Sequence, residues 1–247
     1  MSSDGPGPAG LVRRVATFIG TLLVILALAV LPLLTPLFIH PTLDAAASAE
    51  LLHLDPAIVH ELSDRSVAEL VLGPGAFTFL GPDGQPFYDA AERGHLADAR
   101  SLLWLCLVAG AISAIVLGAA LARASAGRRA QLWRQVSRAG ATAAVAVAVL
   151  GTVSLLAFGT LFSLFHQVFF PAGNWSFDPT TQRLVQLYPF GFWQIAAAAF
   201  GTLVFLLGIG AWLLGQSMSG RGGDGGPVDQ TPGVAGQPDP APGIQGR

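Results

Sequence analysis

The chain contains no lysine and one cysteine, and only 11% of its 247 residues are charged. A soluble domain carries about 25% charged residues, so a fully water-facing surface is excluded. The 13 basic residues are all arginine, the net charge is −2, and no basic patch suited to nucleic acid occurs. The single cysteine, Cys106, excludes an internal disulfide and a paired-cysteine metal site; inside an apolar run it is read as a packing residue. There is no HExxH and no GxSxG, which removes the signatures of the helix-borne zinc proteases and the nucleophile-elbow hydrolases. No internal repeat is present.

Apolar sequence is abundant, with hydrophobic residues making up 52% of the chain. It gathers in four runs, roughly Val15–Ile39, Leu102–Leu121, Ala139–Phe165 and Phe192–Leu214, with no Asp, Glu or Arg in their interiors. A helix of about 20 apolar residues crosses a hydrocarbon core of about 30 Å. The expected fold class is therefore an all-α integral membrane protein with four transmembrane helices. The first run follows two arginines and precedes AAASAE (Ala45–Glu50), a pattern that also suits a cleaved signal. Signal cores run to about 15 residues and this run is longer, so it is read as a span.

Arginine sets the expected orientation. Arg13, Arg14, the five between spans two and three, Arg221 and Arg247 fall on one side, leaving Arg65, Arg93, Arg100 and Arg183 on the other. The positive-inside rule makes the first side cytoplasmic. The expected organisation is a disordered cytoplasmic tail over 1–12, a four-helix domain over 13–215 and a disordered Gly/Pro-rich cytoplasmic tail over 216–247. Extracytoplasmic loops would span 40–100 and 166–191, with the protein in a bacterial cell membrane.

The first of these loops is too long for a mere connector. Pro56–Leu72 has apolar residues at helical spacing and reads as one or two short amphipathic helices. Ala76–Ala90 reads as a β-hairpin around Pro-Asp-Gly. These would form a small cap. The loop ends in AERGHLADARSLL (Ala91–Leu103), where Glu92, His95 and Asp98 recur every three residues and share one side of a helix. His95 then stands at the outer mouth of span two, and His166, in FHQVFFPAGNWSFDP (Phe165–Pro179), at the outer end of span three. Spans joined by a short loop pack antiparallel, which brings the two imidazoles to one depth. Histidine serves as acid or base near neutral pH. Plainer readings compete: interfacial histidines with wet ring nitrogens, helix-terminal acids, and an aromatic belt of Phe165, Phe169, Phe170, Trp175 and Trp193. His40, His53 and His60 are read as solvated loop residues. Two histidines with carboxylates can hold zinc, but ligands from separate segments make that signal weak, and no metal is expected.

The stretch ERGHLADAR (Glu92–Arg100) resembles the E-x-x-H-L-x-D-V pattern of the lipoprotein intramolecular transacylase (Lit) family. Phe165–Trp193 is similar to that family's F-H-x-x-F-F…W-x-F-D-P…Y-P-x-x-F-W block. The resemblance runs from span one through span four. Phe190 and Thr181–Arg183 depart from it, at positions where the family often carries an acid.

The resemblance implies an acyltransferase with no cofactor, acting on a diacylglyceryl lipoprotein in membrane lipid. It would move an acyl chain from the glyceryl sn-2 ester to the N-terminal cysteine amine. His95 and His166 are the implied catalytic pair. Asp98, Glu92 or Asp178 would orient an imidazole, and Arg100, Phe165, Phe169, Phe170, Trp175, Tyr188 and Trp193 would contact substrate. Two other readings stand beside it: a non-catalytic outer-leaflet lipid-binding or scaffold protein, and a metal-dependent membrane hydrolase.

Overall fold

The computed structural model describes residues 8–171 and 173–220, so most of both tails, with the disorder expected of them, lies outside the described residues. The elements are helices α1 (Pro8–Val30), α2 (Pro36–Ala45), α3 (Ser48–Leu52), α4 (Pro56–Val71), α5 (Ala90–Arg123), α6 (Ala126–Phe169), α7 (Arg183–Leu187) and α8 (Phe190–Gly220). A 3-10 turn, Leu31–Leu34, extends α1. Four of these helices are long and apolar enough to span a bilayer: α1 with its 3-10 turn, α5, α6 and α8. Their outward faces carry bare leucines, Leu155 at 86% and Leu156 at 89% exposure. An apolar surface of that extent is stable only against lipid. The chain is a multi-pass integral membrane protein, all-α among its described residues.

Three boundaries differ from the sequence expectation. The first span ends near Leu34, not at Ile39, because Pro32 and Pro36 supply no N–H to carry the helix on, and the chain re-enters as α2 with Pro36 in its first turn. Residues 8–12 and 216–220, expected in the tails, continue α1 and α8; Pro8 is tolerated in a first turn, where its missing N–H goes unused. The hairpin over Ala76–Ala90 is a single antiparallel bridge, Leu80 to Pro86. Two backbone bonds hold it, Gly81 N–H to Gln85 O (2.8 Å) and Phe87 N–H to Phe79 O (3.0 Å). Pro82 and Pro86 donate nothing, and Phe77 has φ +51°, so no ladder can lengthen.

The bundle is held by close backbone contact. α6 and α8 pack tightly, α1 lies against α5 and α6, and α5 and α6 make few backbone contacts with each other although their side chains meet at His95 and His166. The expectation that spans two and three are packed neighbours is thus corrected. A Cβ on Gly140 of α6 would lie 2.7 Å from Trp212 N of α8. Small residues allow this approach where the lipid supplies no hydrophobic drive. Ser137 Oγ adds a hydrogen bond to Trp212 O (3.1 Å). At the arginine-rich turn, Arg129 Nε donates to Leu121 O (3.2 Å), satisfying a carbonyl at the α5 C-terminus.

The cap sits at the other end of α5, α6 and α8 around its own core. Leu43, Val59, Leu62, Phe77, Phe87 and Tyr88 pack there with Leu96 of α5 and Phe192 of α8, so the cap and bundle share one apolar interior. α4 starts with Asp55 accepting Ala57 N–H (2.8 Å) and follows the amphipathic reading of Pro56–Leu72. The buried hydroxyls are paired, Ser63 with Tyr188 at 2.9 Å and Ser66 with Tyr88 at 2.8 Å. Burial pushes the Tyr188 phenol up to about 12, so it remains a neutral hydrogen-bonding group.

Candidate functional site

Asp89 begins α5 with a reciprocal cap: its Oδ1 accepts Glu92 N–H (2.8 Å) and its own N–H donates to Glu92 Oε2 (2.7 Å). The donors around it hold the Asp89 carboxyl below its ordinary range, chiefly the Glu92 N–H. With the helix start fixed there, His95 lies just beyond the first turn. His166 lies in the last turn of α6, which ends at Phe169, beyond a kink at Ala157 (φ −143°, ψ 39°). The two rings face each other with centroids 5.8 Å apart and planes 26° from parallel.

Aromatic side chains enclose the pair. Phe170 lies 4.6 Å from His95 and 5.4 Å from His166 by centroids, Phe177 5.5 Å from His95, and Trp175 5.1 Å from His166. Both histidines line a cavity of about 750 Å³ bounded by Leu34, Phe38, Leu70, Leu103, Phe162 and Trp193. That is a typical ligand-pocket volume, since such pockets run about 300–1,000 Å³. Its walls come from every spanning helix and from the cap, and they are mostly apolar with the imidazoles at one place, which suits a lipid chain carrying one reactive polar group.

His166 Nδ1 lies 2.8 Å from Phe162 O. A carbonyl oxygen only accepts, so Nδ1 carries the hydrogen and Nε2 holds the lone pair. Neither ring nitrogen of His95 has a hydrogen-bond partner among the described residues, and its Nδ1 is buried.

The acids expected to orient an imidazole are employed elsewhere. Glu92, buried, gives its second oxygen to Leu184 N–H (2.7 Å) and so ties α5 to α7. Asp98 Oδ2 accepts Asn174 Nδ2 (2.8 Å). Asp178 accepts Thr180 N–H (2.9 Å) and Thr180 Oγ1 (2.7 Å) within its own turn, and these donors, the backbone one first, hold its carboxyl below the usual range. Arg100, expected at the substrate, donates through Nη1 to Leu70 O (2.8 Å) and Glu69 O, where it caps α4. Arg183 pairs with Asp83 (2.6 Å).

Of the aromatics expected to meet substrate, Trp175, Tyr188 and Trp193 line the cavity and Phe170 packs on the histidines. Phe165 touches His166 by its edge (5.3 Å) but is half exposed, and Phe169 faces outward. Phe162 and Phe177 also meet the histidines and were not singled out from the sequence. Phe162 stands four residues before His166, one turn away on the same face, which is the signal that could have found it. His40 and His60, read as solvated loop residues, stack at 4.2 Å and bond to Asp64 (2.9 Å) and Asp44 (2.8 Å) across α2 and α4. Among the described residues no group of three His, Cys, Asp or Glu is placed to hold a metal ion.

Residues 15–193 match the sequence profile of the lipoprotein intramolecular transacylase Lit family. The chain belongs to the Lit family. No curated protein matches it. The fold is that of a solved structure of the integral membrane transacylase Lit from Bacillus cereus, at a TM-score of 0.67 and 17% identity over 84% of this chain and 94% of that one. A histidine-to-alanine variant of that protein aligns at a TM-score of 0.58 and 16% identity, covering 84% of this chain and 92% of the other. The two blocks that carry the sequence resemblance converge here, one bringing His95 and the other His166.

Proposed function

We propose that this Lit-family protein moves an acyl chain, within one diacylglyceryl lipoprotein, from the glyceryl sn-2 ester to the α-amine of the N-terminal cysteine. The observation that carries this reading is the pair of imidazoles, 5.8 Å apart, set in an apolar cavity open to no other titratable pair. The α-ammonium first loses a proton, and one is released overall. The amine nitrogen then attacks the ester carbonyl carbon, forming the N–C bond. As the C–O bond breaks, an imidazole takes the second nitrogen proton and an imidazolium supplies one to the departing glyceryl oxygen. The products are an amide and a free sn-2 hydroxyl. Donor and acceptor are parts of one molecule, so the cavity has only to hold them together; such positioning is equivalent to effective molarities of about 10⁵–10⁸ M. Acid–base assistance adds about 10²–10⁴-fold.

The mouth of the cavity at the cap end would face the extracytoplasmic leaflet, as the arginine distribution supports. The test is transfer by purified protein in lipid vesicles acting on a synthetic diacylglyceryl lipopeptide. His95→Ala and His166→Ala are each expected to lower the rate at least about 10²-fold with the fold retained. A variant of either residue with full activity would remove that histidine from the reaction.

A further inference from the structure

Three buried side-chain atoms among the described residues have no hydrogen-bond partner: His95 Nδ1, Asn174 Oδ1 and Trp133 Nε1. A buried polar atom left unpaired forfeits its hydration with nothing in return, so such atoms are rare and call for a reason. Trp133 lies at the far end of α6, whereas the other two belong to one small region. A carboxylate only accepts, so the Asn174 amide must turn Nδ2 to Asp98 (2.8 Å) and its Oδ1 the other way. The amide rests on the Gly94–Asp98 side of α5, where a Cβ on Gly94 would lie 3.9 Å from Nδ2. His95 is the residue after Gly94. The chain on both sides of Asn174 grips its ring, through Phe170 at 4.6 Å and Phe177 at 5.5 Å between centroids.

The two unpartnered atoms are complementary. Asn174 Oδ1 can only accept, and a ring nitrogen bearing hydrogen donates. We propose that Asn174 is the positioning residue of His95: its Oδ1 accepts the Nδ1 hydrogen in the working site, while Asp98 holds the amide from its other end. The consequence is a defined tautomer. His95 keeps Nδ1–H and offers Nε2 to the cavity, matching the tautomer that Phe162 O imposes on His166. Asp98 then acts at one remove, through a neutral amide. This inference rests on the reading of His95 as an acid–base group, but its geometry can be tested without turnover.

In ¹⁵N spectra of histidine-labelled full-length protein at a pH where His95 is neutral, its signals should be those of the Nδ1–H tautomer, and Asn174→Ala should give a mixture. An Nε2–H tautomer in the unmodified protein would overturn the inference. In the vesicle assay Asn174→Ala should lower kcat by about 10²-fold with KM within about twofold, less than the 10⁴ seen when a triad loses its carboxylate. The titratable groups facing His95 are His166 on α6 and Asp98 on its own helix. The exchange Asp98→Asn with Asn174→Asp keeps the hydrogen bond between these positions, with the donor now on 98, and sets a charged acceptor against His95 that favours the imidazolium. It should therefore recover activity over Asn174→Ala and move the acidic limb of the rate profile to higher pH. Asn174→Ala at the wild-type rate, or the Asp98→Asn with Asn174→Asp exchange no better than Asn174→Ala, would contradict the assignment. Failure of unmodified protein to transfer acyl would sink the proposed function and leave the tautomer measurement standing as the test of Asn174.

Discussion

Single side chains in this protein separate into those that face the cavity and those that hold the wall. Glu92 shows how closely the two can be placed. It lies three residues before His95, on the side of the helix where sequence spacing offers it as an orienting acid, yet both its oxygens accept backbone N–H groups, of Asp89 and Leu184. Removing a buried acceptor leaves its donors unpaired at about 1–3 kcal/mol each. Glu92→Ala should therefore lower the thermal unfolding temperature in detergent by several degrees, and Glu92→Gln, which keeps one oxygen, by less. An unchanged melting temperature for Glu92→Ala would contradict this structural role. Spacing of three along a helix tells which residues share a face, but not which partner in a distant segment each one meets. That is why His95 and His166 were legible while the partners of Glu92, Asp98 and Arg100 were not: Leu184, Asn174 and the Leu70 carbonyl all come from other parts of the chain.

At the scale of elements, the spans were legible because bilayer thickness leaves a length and composition mark that needs no tertiary information. Their packing leaves a weaker mark. Gly140 and Gly151 lie on the same helix and look alike in sequence, yet a Cβ on Gly140 would meet the α8 backbone while one on Gly151 meets nothing within 4 Å. Gly140→Leu should separate α6 from α8 and abolish a monodisperse folded peak in detergent size exclusion, whereas Gly151→Ala should elute as the unmodified protein does. Equal behaviour of both variants would show that the α6–α8 contact is not what holds the bundle. The cap illustrates the opposite limit. A Pro-Asp-Gly turn between apolar runs suggests a hairpin, but two prolines and a left-handed Phe77 leave it a single bridge, and burial of Phe77, Phe87 and Tyr88 holds the segment instead.

For the whole molecule, the cap, the cavity and both histidines occupy one end of the bundle, and the arginine-rich turn between α5 and α6 occupies the other. If the cap is extracytoplasmic, a cysteine placed at the exposed Thr181 of a Cys106→Ser protein should react with an impermeant maleimide in intact cells, and one at Ala126 only after lysis. The reverse pattern would invert the protein. The central claim, transfer within one molecule, has a sharper signature. An intramolecular shift leaves the mass of the lipopeptide unchanged and moves one acyl chain from the glyceryl fragment to the peptide N-terminus. Tandem mass spectrometry of a diacylglyceryl lipopeptide incubated with vesicles holding the purified protein reads that difference directly. The account predicts a product of the starting mass whose N-terminal fragment carries an acyl amide and whose glyceryl fragment has lost one acyl group, absent with His166→Ala; an unaltered fragmentation pattern with folded, unmodified protein would contradict it.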